Sequence, residues 1–449
     1  MQFELELEEV DKDMRLDKNE DYKPRLLDAY LRELLAGLPA IALDGPKAVG
    51  KTESARRISK SLLSVDSSEV RTYLRTVPSA FEDAEKPLLL DEWQFEPSVW
   101  NKVRRLVDEG AESGSYILTG SAYPEEASIH SGAGRIVPVR MRPLSLEERG
   151  LDVPVVRIGD CLKGLKNTQS SFNGSEHAKT IINGKDYISE IFRSGFPDIW
   201  LSDKKTRKRK LRAYMQVILE RELPEAGYVV RKPDALMLWM KAYAAATATN
   251  AQYKKILDAA TPGESDKPSK DTTLRYRSML TNLWLIDSIP MWMPSQGSFA
   301  RLKQTHKHFL ADPALSAYLM GLDEEILLRG EEQTALDEDF GSIAGRLFES
   351  LVALSLQTYA TVNDADLGYL RTRNGDREVD FVVHSGRDIV AIEVKFDSEV
   401  HDDDVSHLNW LHESYGSRLR EKILVYAGPY AYRRPEDGVL VVPAALLGA

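Results

Sequence analysis

The stretch Gly45-Pro46-Lys47-Ala48-Val49-Gly50-Lys51-Thr52 decides the fold of the first part of this 449-residue chain. It matches the pattern G-x-x-x-x-G-K-[ST], in which glycines let the backbone wrap closely around a phosphate group and turn its N–H groups inward. The apolar residues 39–43 predict a buried strand before it, and residues 51–63 predict a helix whose N-terminal dipole faces the same anion. A strand, this loop and a helix in that order predict a phosphate-binding site.

The chemistry of these residues predicts ATP as the ligand of residues 45–52, with Mg²⁺ as its companion ion. The Lys51 ammonium would reach the β- and γ-phosphates, and the Thr52 hydroxyl would coordinate Mg²⁺. Downstream, Leu88-Leu89-Leu90-Asp91-Glu92 is an apolar run that ends in two carboxylates. Asp91 would hold Mg²⁺, directly or through water, and Glu92 would orient or deprotonate the attacking water. The two segments together predict magnesium-dependent ATP hydrolysis.

A further strand is predicted by Tyr116-Ile117-Leu118-Thr119-Gly120-Ser121, which ends in hydroxyl side chains. Thr119 or Ser121 would sense the γ-phosphate or position the attacking water. A polar strand exit without a functional role is an equal alternative. Because strands alternate with helices in this part of the chain, we expect a parallel three-layer α/β sheet.

The segment His130-Ser131-Gly132-Ala133-Gly134-Arg135 places an arginine in a glycine-rich loop. An arginine supplied by a neighbouring subunit stabilises the negative charge of the phosphoryl group in transfer. If Arg135 acts in this way, the protein is a homo-oligomer. Arg140 and Arg142 are alternatives for the same role, and a surface ion pair is the simpler interpretation of any one of them.

These segments resemble prokaryotic AAA-type P-loop ATPases of the small STAND-like and archaeal ATPase group. The resemblance rests on residues 45–52, 88–92 and 118–121, and on Gly134-Arg135 followed by Arg142-Pro143-Leu144-Ser145-Leu146-Glu147-Glu148. It covers residues 21–150 and implies an ATPase that works as a ring or as a switch.

Composition limits the classes of function. The chain has 43% apolar residues, 29% charged residues, a single cysteine (Cys161) and a formal net charge of −11. One cysteine excludes an internal disulfide and a cysteine-based zinc site. No apolar run reaches the length of about 18 residues that a membrane span needs, and the acidic N-terminus lacks the features of a signal peptide. We therefore expect a cytoplasmic protein with no membrane partner.

The charge distribution bears on nucleic-acid binding. A net charge of −11 argues against a large nucleic-acid footprint, because proteins that bind DNA nonspecifically are usually basic. A local footprint is still compatible with it. Residues 204–212, KKTRKRKLR, are either the solvated face of a helix or a phosphate-binding patch.

We expect five segments along the chain. They are an N-terminal arm (1–20), the ATPase domain (21–150), a loop or insertion (151–185), a helical, winged-helix-like domain (186–330) and a C-terminal nuclease-like domain (331–449). The Gly195-Phe196-Pro197 turn resembles the turn of the same ATPase family that precedes its linker.

Residues 253–260 and 271–285 resemble a helix-turn-helix. Its second helix carries Arg275 and Arg277, and Lys267 and Lys270 precede them. DNA recognition would require these side chains to share one exposed face. A helical lid or a protein-docking module is an even alternative.

In the C-terminal segment, Glu378-Val379-Asp380-Phe381 and Ile392-Glu393-Val394-Lys395 belong to two predicted strands. Glu393 and Lys395 are two residues apart and point to the same face of their strand. This order resembles the PD-(D/E)xK nuclease superfamily, and Glu349, on a predicted helix, matches the additional acidic residue of many such nucleases. The resemblance implies a restriction-endonuclease-like α/β domain. In it Glu349, Asp380 and Glu393 would hold Mg²⁺, and Lys395 would stabilise charge or position the nucleophile.

Two functions fit these patterns. The first is a DNA-associated ATPase with a tethered, metal-dependent nuclease-like domain. The second is a nucleotide-controlled switch or signalling scaffold whose nuclease-like domain binds partners without cleaving, and the acidic charge favours it. The segment His401-Asp402-Asp403-Asp404 has the composition of a metal cluster, but its polar neighbours predict a solvated loop.

Overall fold

The structure is a computed structural model that describes residues 22–77, 79–122, 133–165, 178–230, 232–261, 269–293, 305–329, 337–372 and 375–449. The chain forms two compact units. Unit 1 comprises Met1–Arg142, Gln216–Val230 and Met279–Leu285, and unit 2 comprises Pro143–Met215, Arg231–Ser278 and Ile286–Ala449. The expected N-terminal arm, residues 1–20, lies outside the described residues.

A five-stranded sheet forms the centre of unit 1. Its strands are β1 (Ala40–Asp44), β2 (Ser61–Ser64), β3 (Leu88–Asp91), β4 (Tyr116–Gly120) and β5 (Val137–Arg140). They lie in the order β2-β3-β4-β1-β5, and every neighbouring pair is parallel. All residues of β1, β3 and β4 are buried, as expected for parallel strands covered on both faces. The α/β architecture with a parallel-sheet core, predicted from the sequence, is confirmed.

Amphipathic helices supply the apolar side chains that cover this sheet. In the helix Ser98–Asp108, Val99, Val103 and Leu106 recur at helical spacing and are buried in one core with residues of the strands. The other helices among the described residues up to 142 are Leu27–Gly37, Lys51–Arg56, Ser68–Thr76, Ala80–Asp83 and the 3₁₀ turn Trp93–Phe95. The π-helical turn Ile218–Glu222 and the short helix Leu223–Glu225 also belong to unit 1.

One predicted element of unit 1 is wrong. The helix expected over residues 51–63 ends at Arg56, and Ser61–Ser64 forms β2 instead. The short apolar run at Leu62 and Leu63 fits a buried strand as well as a helix, so the local pattern does not separate the two. Parallel pairing with β3 decides the outcome in favour of a strand.

The described strands of unit 2 are β6 (Val156–Arg157), β7 (Ala178–Lys179), β8 (Asp366–Arg371), β9 (Glu378–Ser385), β10 (Asp388–Lys395), β11 (Leu419–Tyr426), β12 (Tyr430–Arg433), β13 (Leu440–Pro443) and β14 (Leu447–Gly448). A seven-stranded mixed sheet forms the centre of the unit, in the order β7-β12-β13-β11-β10-β9-β8. Within it β9 pairs antiparallel with β8 and β10, whereas β11 pairs parallel with β10 and β13.

The register between β9 and β10 positions two acidic residues. Phe381 lies opposite Ile392, so the same antiparallel register places Asp380 beside Glu393. The helix Asp337–Val362, whose buried residues include Leu347, Phe348 and Leu351, packs against this part of the sheet. A helical glutamate and two strand carboxylates therefore reach one region of unit 2.

Helices are the main secondary structure among the described residues between 143 and 330. They are Leu146–Arg149, Ile158–Leu162, Gly184–Arg193, Pro197–Trp200, Lys204–Val217, Pro233–Ala245, Tyr253–Ala259, Lys270–Asn282, Pro313–Leu319 and Glu324–Arg329, followed later by Ser406–Tyr415. Among the described residues no helix combines the length and the apolarity that a bilayer crossing requires.

The expected loop or insertion at residues 151–185 differs from the structure. Its described residues include β6, the helix Ile158–Leu162 and β7, and residues 166–177 lie outside the described part. β6 pairs with β14, and β7 pairs with β12. Because these two-residue strands pair with partners far along the chain, the local sequence carries no period that would predict them.

The two helices of the predicted helix-turn-helix are Tyr253–Ala259 and Lys270–Asn282. Arg275 is exposed, whereas Arg277 is partly buried with its guanidinium 4.6 Å from the centre of the Tyr253 ring. Residues two apart on a helix point to different faces, so these arginines do not share one surface. Lys267 lies outside the described residues, and the winged-helix assignment stays a prediction.

Candidate nucleotide-binding site and a second carboxylate centre

The loop of residues 45–52 connects β1 to the helix Lys51–Arg56, as the sequence predicts. A side chain at Gly45 would clash, since a Cβ there would lie 2.2 Å from the carbonyl oxygen of Met141. Gly50 has φ of 101°, a left-handed conformation that favours glycine and that precedes the first turn of the helix. The two glycines therefore serve different needs: one permits close backbone packing and the other permits the turn.

The Lys51 ammonium lies inside this loop. The residue is 5% exposed, and its Nζ donates hydrogen bonds to the carbonyl oxygens of Gly45 at 2.9 Å and Pro46 at 3.0 Å. Burial lowers the pKa of Lys51, and the carboxylates of Glu92 and Asp91 act in the opposite direction. The loop thus surrounds a cation at the place where the sequence predicts phosphate.

Thr52 and Asp91 are in direct contact. The Thr52 hydroxyl donates to Asp91 Oδ1 at 2.8 Å, and the Thr119 hydroxyl donates to the same oxygen. Burial raises the pKa of Asp91, and the hydrogen bonds from Thr119 and Thr52 oppose that rise. A hydroxyl and a carboxylate oxygen side by side are a donor set that suits Mg²⁺, which prefers oxygen ligands.

Glu92 is held by a small polar group beside this pair. Its Oε2 accepts hydrogen bonds from Ser121 Oγ at 3.2 Å and from the amide of Gln94. Gln94 also donates to Ser121 Oγ at 3.2 Å. The backbone of Glu92 has φ of 54°, a left-handed conformation that non-glycine residues rarely adopt and that often marks a functional position.

The strand order brings these groups together. β4 lies between β1, which leads into the loop, and β3, which ends at Asp91. Thr119 and Ser121 at the end of β4 therefore contact Asp91 and Glu92, one each. Both hydroxyl residues of the predicted strand exit thus contact the carboxylates.

Sequence reasoning missed several residues that support the loop. Lys47 Nζ lies 2.5 Å from Glu222 Oε1, and Glu222 is buried at the end of the π-helical turn. The guanidinium of Arg25 donates to the carbonyl oxygen of Val49 at 2.9 Å and to that of Arg142 at 2.5 Å. A basic residue near the start of the domain and an acid far along the chain carry no local pattern that would reveal these contacts.

Arg135 lies on the surface of unit 1. Its Nε donates to Asp108 Oδ1 at 2.8 Å, and its side chain is 47% exposed. Arg140, one of its alternatives, donates to the carbonyl oxygen of Trp284 at 3.3 Å and lies over that ring. These contacts correspond to the surface ion pair that the sequence left as the simpler interpretation of Arg135.

A second group of carboxylates lies in unit 2, around Lys307. The Lys307 Nζ is 2.5 Å from Glu349 Oε1 and 2.9 Å from Asp380 Oδ1, and the residue is 2% exposed. Burial would lower the pKa of Lys307, but the charges of Asp380 and Glu349 outweigh it and raise that pKa. Asp380 Oδ2 accepts a further hydrogen bond from the backbone N–H of Val394 at 3.1 Å.

Glu393 and Lys395, both predicted from the sequence, differ in their surroundings. Glu393 is buried, and burial together with the charge of Asp380 raises its pKa. Lys395 is 41% exposed, and its Nζ lies 3.5 Å from Asp404 Oδ1. Its ion-pair partner is therefore Asp404, an acid outside the predicted set.

The nuclease-type metal site does not fit this geometry as it stands. Among the described residues, no group of three or more His, Cys, Asp or Glu side chains is arranged to hold a metal ion. The Lys307 ammonium supplies the positive charge at Glu349 and Asp380 instead. The segment 401–404, expected to be a solvated loop, instead forms most of the 3₁₀ turn Asp402–Val405 with His401 as its N-cap, and the His401 backbone N–H donates to Asp404 Oδ2 at 2.9 Å.

Family comparisons divide the chain into three matched regions. Residues 38–150 match an AAA domain, residues 184–326 match a domain of unknown function (DUF8612), and residues 344–447 match a domain of unknown function (DUF4143). The match over residues 38–150 supports the predicted P-loop AAA-type ATPase domain and, with it, ATP binding. The match over residues 344–447 does not confirm a nuclease fold.

Two mycobacterial proteins and one solved archaeal structure are similar to this chain. The uncharacterized proteins Mb2031c of Mycobacterium bovis and Rv2008c of Mycobacterium tuberculosis are each 25% identical over 353 residues, which is 76% of this chain and 69% of each relative. A solved structure, the Walker-type ATPase PABY2304 of Pyrococcus abyssi, matches with a TM-score of 0.38 and 17% identity over 67% of this chain and 97% of its own.

Proposed function

We propose that this protein hydrolyses ATP with Mg²⁺ at residues 45–52 of its AAA-type domain. The observation that carries the proposal is the 2.8 Å hydrogen bond between the Thr52 hydroxyl and Asp91. It joins two oxygen ligands of the kind that Mg²⁺ takes, beside a loop whose Lys51 ammonium is buried.

The binding step uses the loop itself. Backbone N–H groups of the loop and the N-terminus of the helix Lys51–Arg56 attract the phosphates, and the Lys51 ammonium exchanges its carbonyl partners, Gly45 and Pro46, for phosphate oxygens. Thr52 and Asp91 are the residues that would hold Mg²⁺, and the ion would supply positive charge to neutralise part of the charge on the β- and γ-phosphates. The protein thereby fixes the position of the γ-phosphate.

The chemical step uses Glu92. Its carboxylate orients a water molecule towards the γ-phosphorus and accepts the proton that the water loses as its oxygen bonds to phosphorus and the bond to the β-phosphate breaks. Ser121 and Gln94 hold the carboxylate in place through hydrogen bonds to Oε2. The products are ADP and inorganic phosphate.

Steady-state ATP turnover tests the proposal. Lys51→Ala should abolish measurable turnover, and Glu92→Gln should retain ATP while its turnover falls by about 100-fold or more, because a positioned base contributes at least that factor. Lys60→Ala and Glu109→Gln, at exposed positions of the same unit, are the matched controls and should retain turnover. Wild-type rates in Lys51→Ala and Glu92→Gln would refute the assignment.

For unit 2 we propose a partner-binding role under nucleotide control, with DNA or protein as the partner, rather than DNA cleavage. The buried ion pairs of Lys307 with Glu349 and Asp380 favour this function, because the expected metal ligands are already bound to a cation. Plasmid DNA incubated with the protein, Mg²⁺ and ATP should stay intact. Nicking by the wild type that is lost in Glu393→Gln would contradict the proposal and restore the nuclease alternative.

A further inference from the structure

Three carboxylates meet at one buried place in unit 2. Asp380 on β9 and Glu393 on β10 are neighbours across the antiparallel pair, and Glu349 approaches from the helix Asp337–Val362. Like charges that are buried together repel strongly because little water screens them. Such a group requires a cation, and in metal-dependent nucleases of this arrangement that cation would be a divalent metal.

Lys307 supplies this cation from outside the segment that carries the carboxylates. It lies in the chain before the helix Asp337–Val362, and its backbone forms a bridge with Ile289, with N–H to oxygen distances of 2.9 Å and 3.0 Å in the two directions. The bridge fixes the Cα, and the ring of Phe381 lies 5.3 Å from the ammonium. The ammonium thus lies between Glu349 and Asp380.

One oxygen of the Glu393 carboxylate receives no hydrogen bond within the described part of the chain. Glu393 Oε1 is buried and, among the described residues, has no hydrogen-bond partner, with His407 Nδ1 at 3.9 Å. Lys395, which a nuclease would direct at the same centre, is paired with Asp404. The centre therefore has carboxylates of the kind that divalent metals take, including a buried Glu393 oxygen to which no described group donates, but the positive charge at Glu349 and Asp380 comes from a lysine of the chain.

We propose that the Lys307 ammonium takes the place of a divalent metal ion in this centre, so that the wild-type domain binds no metal there and cleaves no phosphodiester. The same carboxylates become a divalent-cation site when the ammonium is removed. A second cation cannot enter beside the ammonium without strong repulsion, whereas a neutral side chain leaves Glu349, Asp380 and Glu393 to bind Mn²⁺ or Mg²⁺. The inference is independent of ATP hydrolysis at Lys51.

Electron paramagnetic resonance of free Mn²⁺, in titrations of full-length protein without nucleotide, tests this inference. The variants are wild type, Lys307→Met, Lys307→Met with Asp380→Asn, and Lys185→Met, at an exposed lysine of the same unit, as the matched lysine control. Any Mn²⁺ that binds at Thr52 and Asp91 should bind equally in all four proteins, so it does not affect the comparison. We expect Lys307→Met to bind one additional Mn²⁺ per chain at least tenfold more tightly than the wild type, and the double variant to lose it.

The opposite pattern would overturn the proposal. A wild-type Mn²⁺ site that disappears in Glu393→Gln, or a folded Lys307→Met that gains no site, would show that the ammonium does not replace a metal. Circular dichroism reports folding, and Lys307→Gln is the second variant because its amide still donates a hydrogen bond. If neither Lys307 variant folds, the Mn²⁺ binding of the wild type is compared with that of Glu393→Gln. Equal binding in the two proteins supports the proposal, and weaker binding in Glu393→Gln refutes it.

Discussion

The Thr52 hydroxyl donates a 2.8 Å hydrogen bond to Asp91, although the two residues are on different elements of unit 1. Thr52 belongs to the first turn of the helix that follows the loop, and Asp91 ends β3, with β4 between β3 and β1. The contact therefore links the phosphate-binding loop to the strand that carries the expected base, Glu92. A substitution of Thr52 or Asp91 should therefore weaken Mg²⁺ binding more than it lowers the stability of the fold.

Thr52→Ala should lower ATP turnover roughly 100-fold, because it removes one oxygen ligand from Mg²⁺ without removing the Lys51 ammonium. The loss should be partly compensated by a higher Mg²⁺ concentration, which a Mg²⁺ titration of the rate would show. Thr72→Ala, at an exposed helical threonine, is the control and should behave as wild type. A Mg²⁺ dependence in Thr52→Ala identical to that of the wild type would argue against this ligand.

Glu222→Gln should bind ATP several-fold more tightly than the wild type. Glu222 carries a buried negative charge 2.5 Å from Lys47 Nζ, and that charge repels phosphate and competes for the Lys47 ammonium. Fluorescent ATP-analogue binding measures the effect, with Glu220→Gln, an exposed acid of the same turn, as the control. Weaker ATP binding in Glu222→Gln would instead show that the ion pair between Lys47 and Glu222 holds residues 45–52 in the conformation that binds ATP.

Gly120→Ala should lower both stability and turnover. A Cβ at this position would lie 2.7 Å from Trp93 Nε1 and 3.2 Å from Gln94 Oε1, so Gln94 would move away from Glu92. The overpacking should cost about 1–3 kcal/mol in the free energy of unfolding. Gly37→Ala, where nothing lies within 4 Å, should leave turnover unchanged. Equal ATP turnover in Gly120→Ala and Gly37→Ala would show that the position of Gln94 does not affect ATP hydrolysis.

Arg135→Ala should change ATP turnover by less than about twofold, because an exposed ion pair such as Arg135 with Asp108 contributes little. Turnover per chain should then be independent of protein concentration. Rates measured over a hundredfold range of concentration check this. A specific activity that rises with concentration in the wild type and stays flat in Arg135→Ala would instead show that Arg135 acts on a neighbouring subunit.

Acid should destabilise unit 2 through His308. Burial lowers the pKa of His308 to about 4, and its Nε2 lies 2.7 Å from the carbonyl oxygen of Ala251, to which the neutral ring donates. Since the unfolded residue titrates near pH 6.5, the unfolded state binds the extra proton between pH 6.5 and 4, and stability falls as pH falls through that range. The His308 contribution is about 3 kcal/mol.

Denaturant unfolding at pH 7 and pH 4.5 measures this effect. His308→Gln keeps a side-chain donor for Ala251 and should lose less stability between the two pH values than the wild type does. An equal loss in both proteins would assign the acid sensitivity to other groups.

The sequence predicted those parts of the fold that have local signals. β1, β3 and β4 are continuous apolar runs, and their buried positions agree with that pattern. The sequence pattern predicts β2 as the end of a helix, because four residues are too few to show a period. It predicts a loop at β6 and β7 for the same reason, since only pairing with distant strands defines them.

The candidate sites divide in the same way. Lys51, Thr52, Asp91 and Glu92 were named from motifs in which spacing along the chain reflects spacing in the fold. Lys307 could not be named, because a single lysine in a polar stretch has no pattern that shows it reaching Asp380. Its position depends on a bridge to Ile289 and on the packing of a helix, which are properties of the folded chain.

Calorimetric titration of nucleotide-free protein with ATP in the presence of Mg²⁺ tests the central claim most directly. The account predicts one ATP per wild-type chain and no detectable heat of binding in a folded Lys51→Ala variant. Binding of equal affinity and stoichiometry in Lys51→Ala, or none in the wild type, would contradict the claim that residues 45–52 hold the nucleotide.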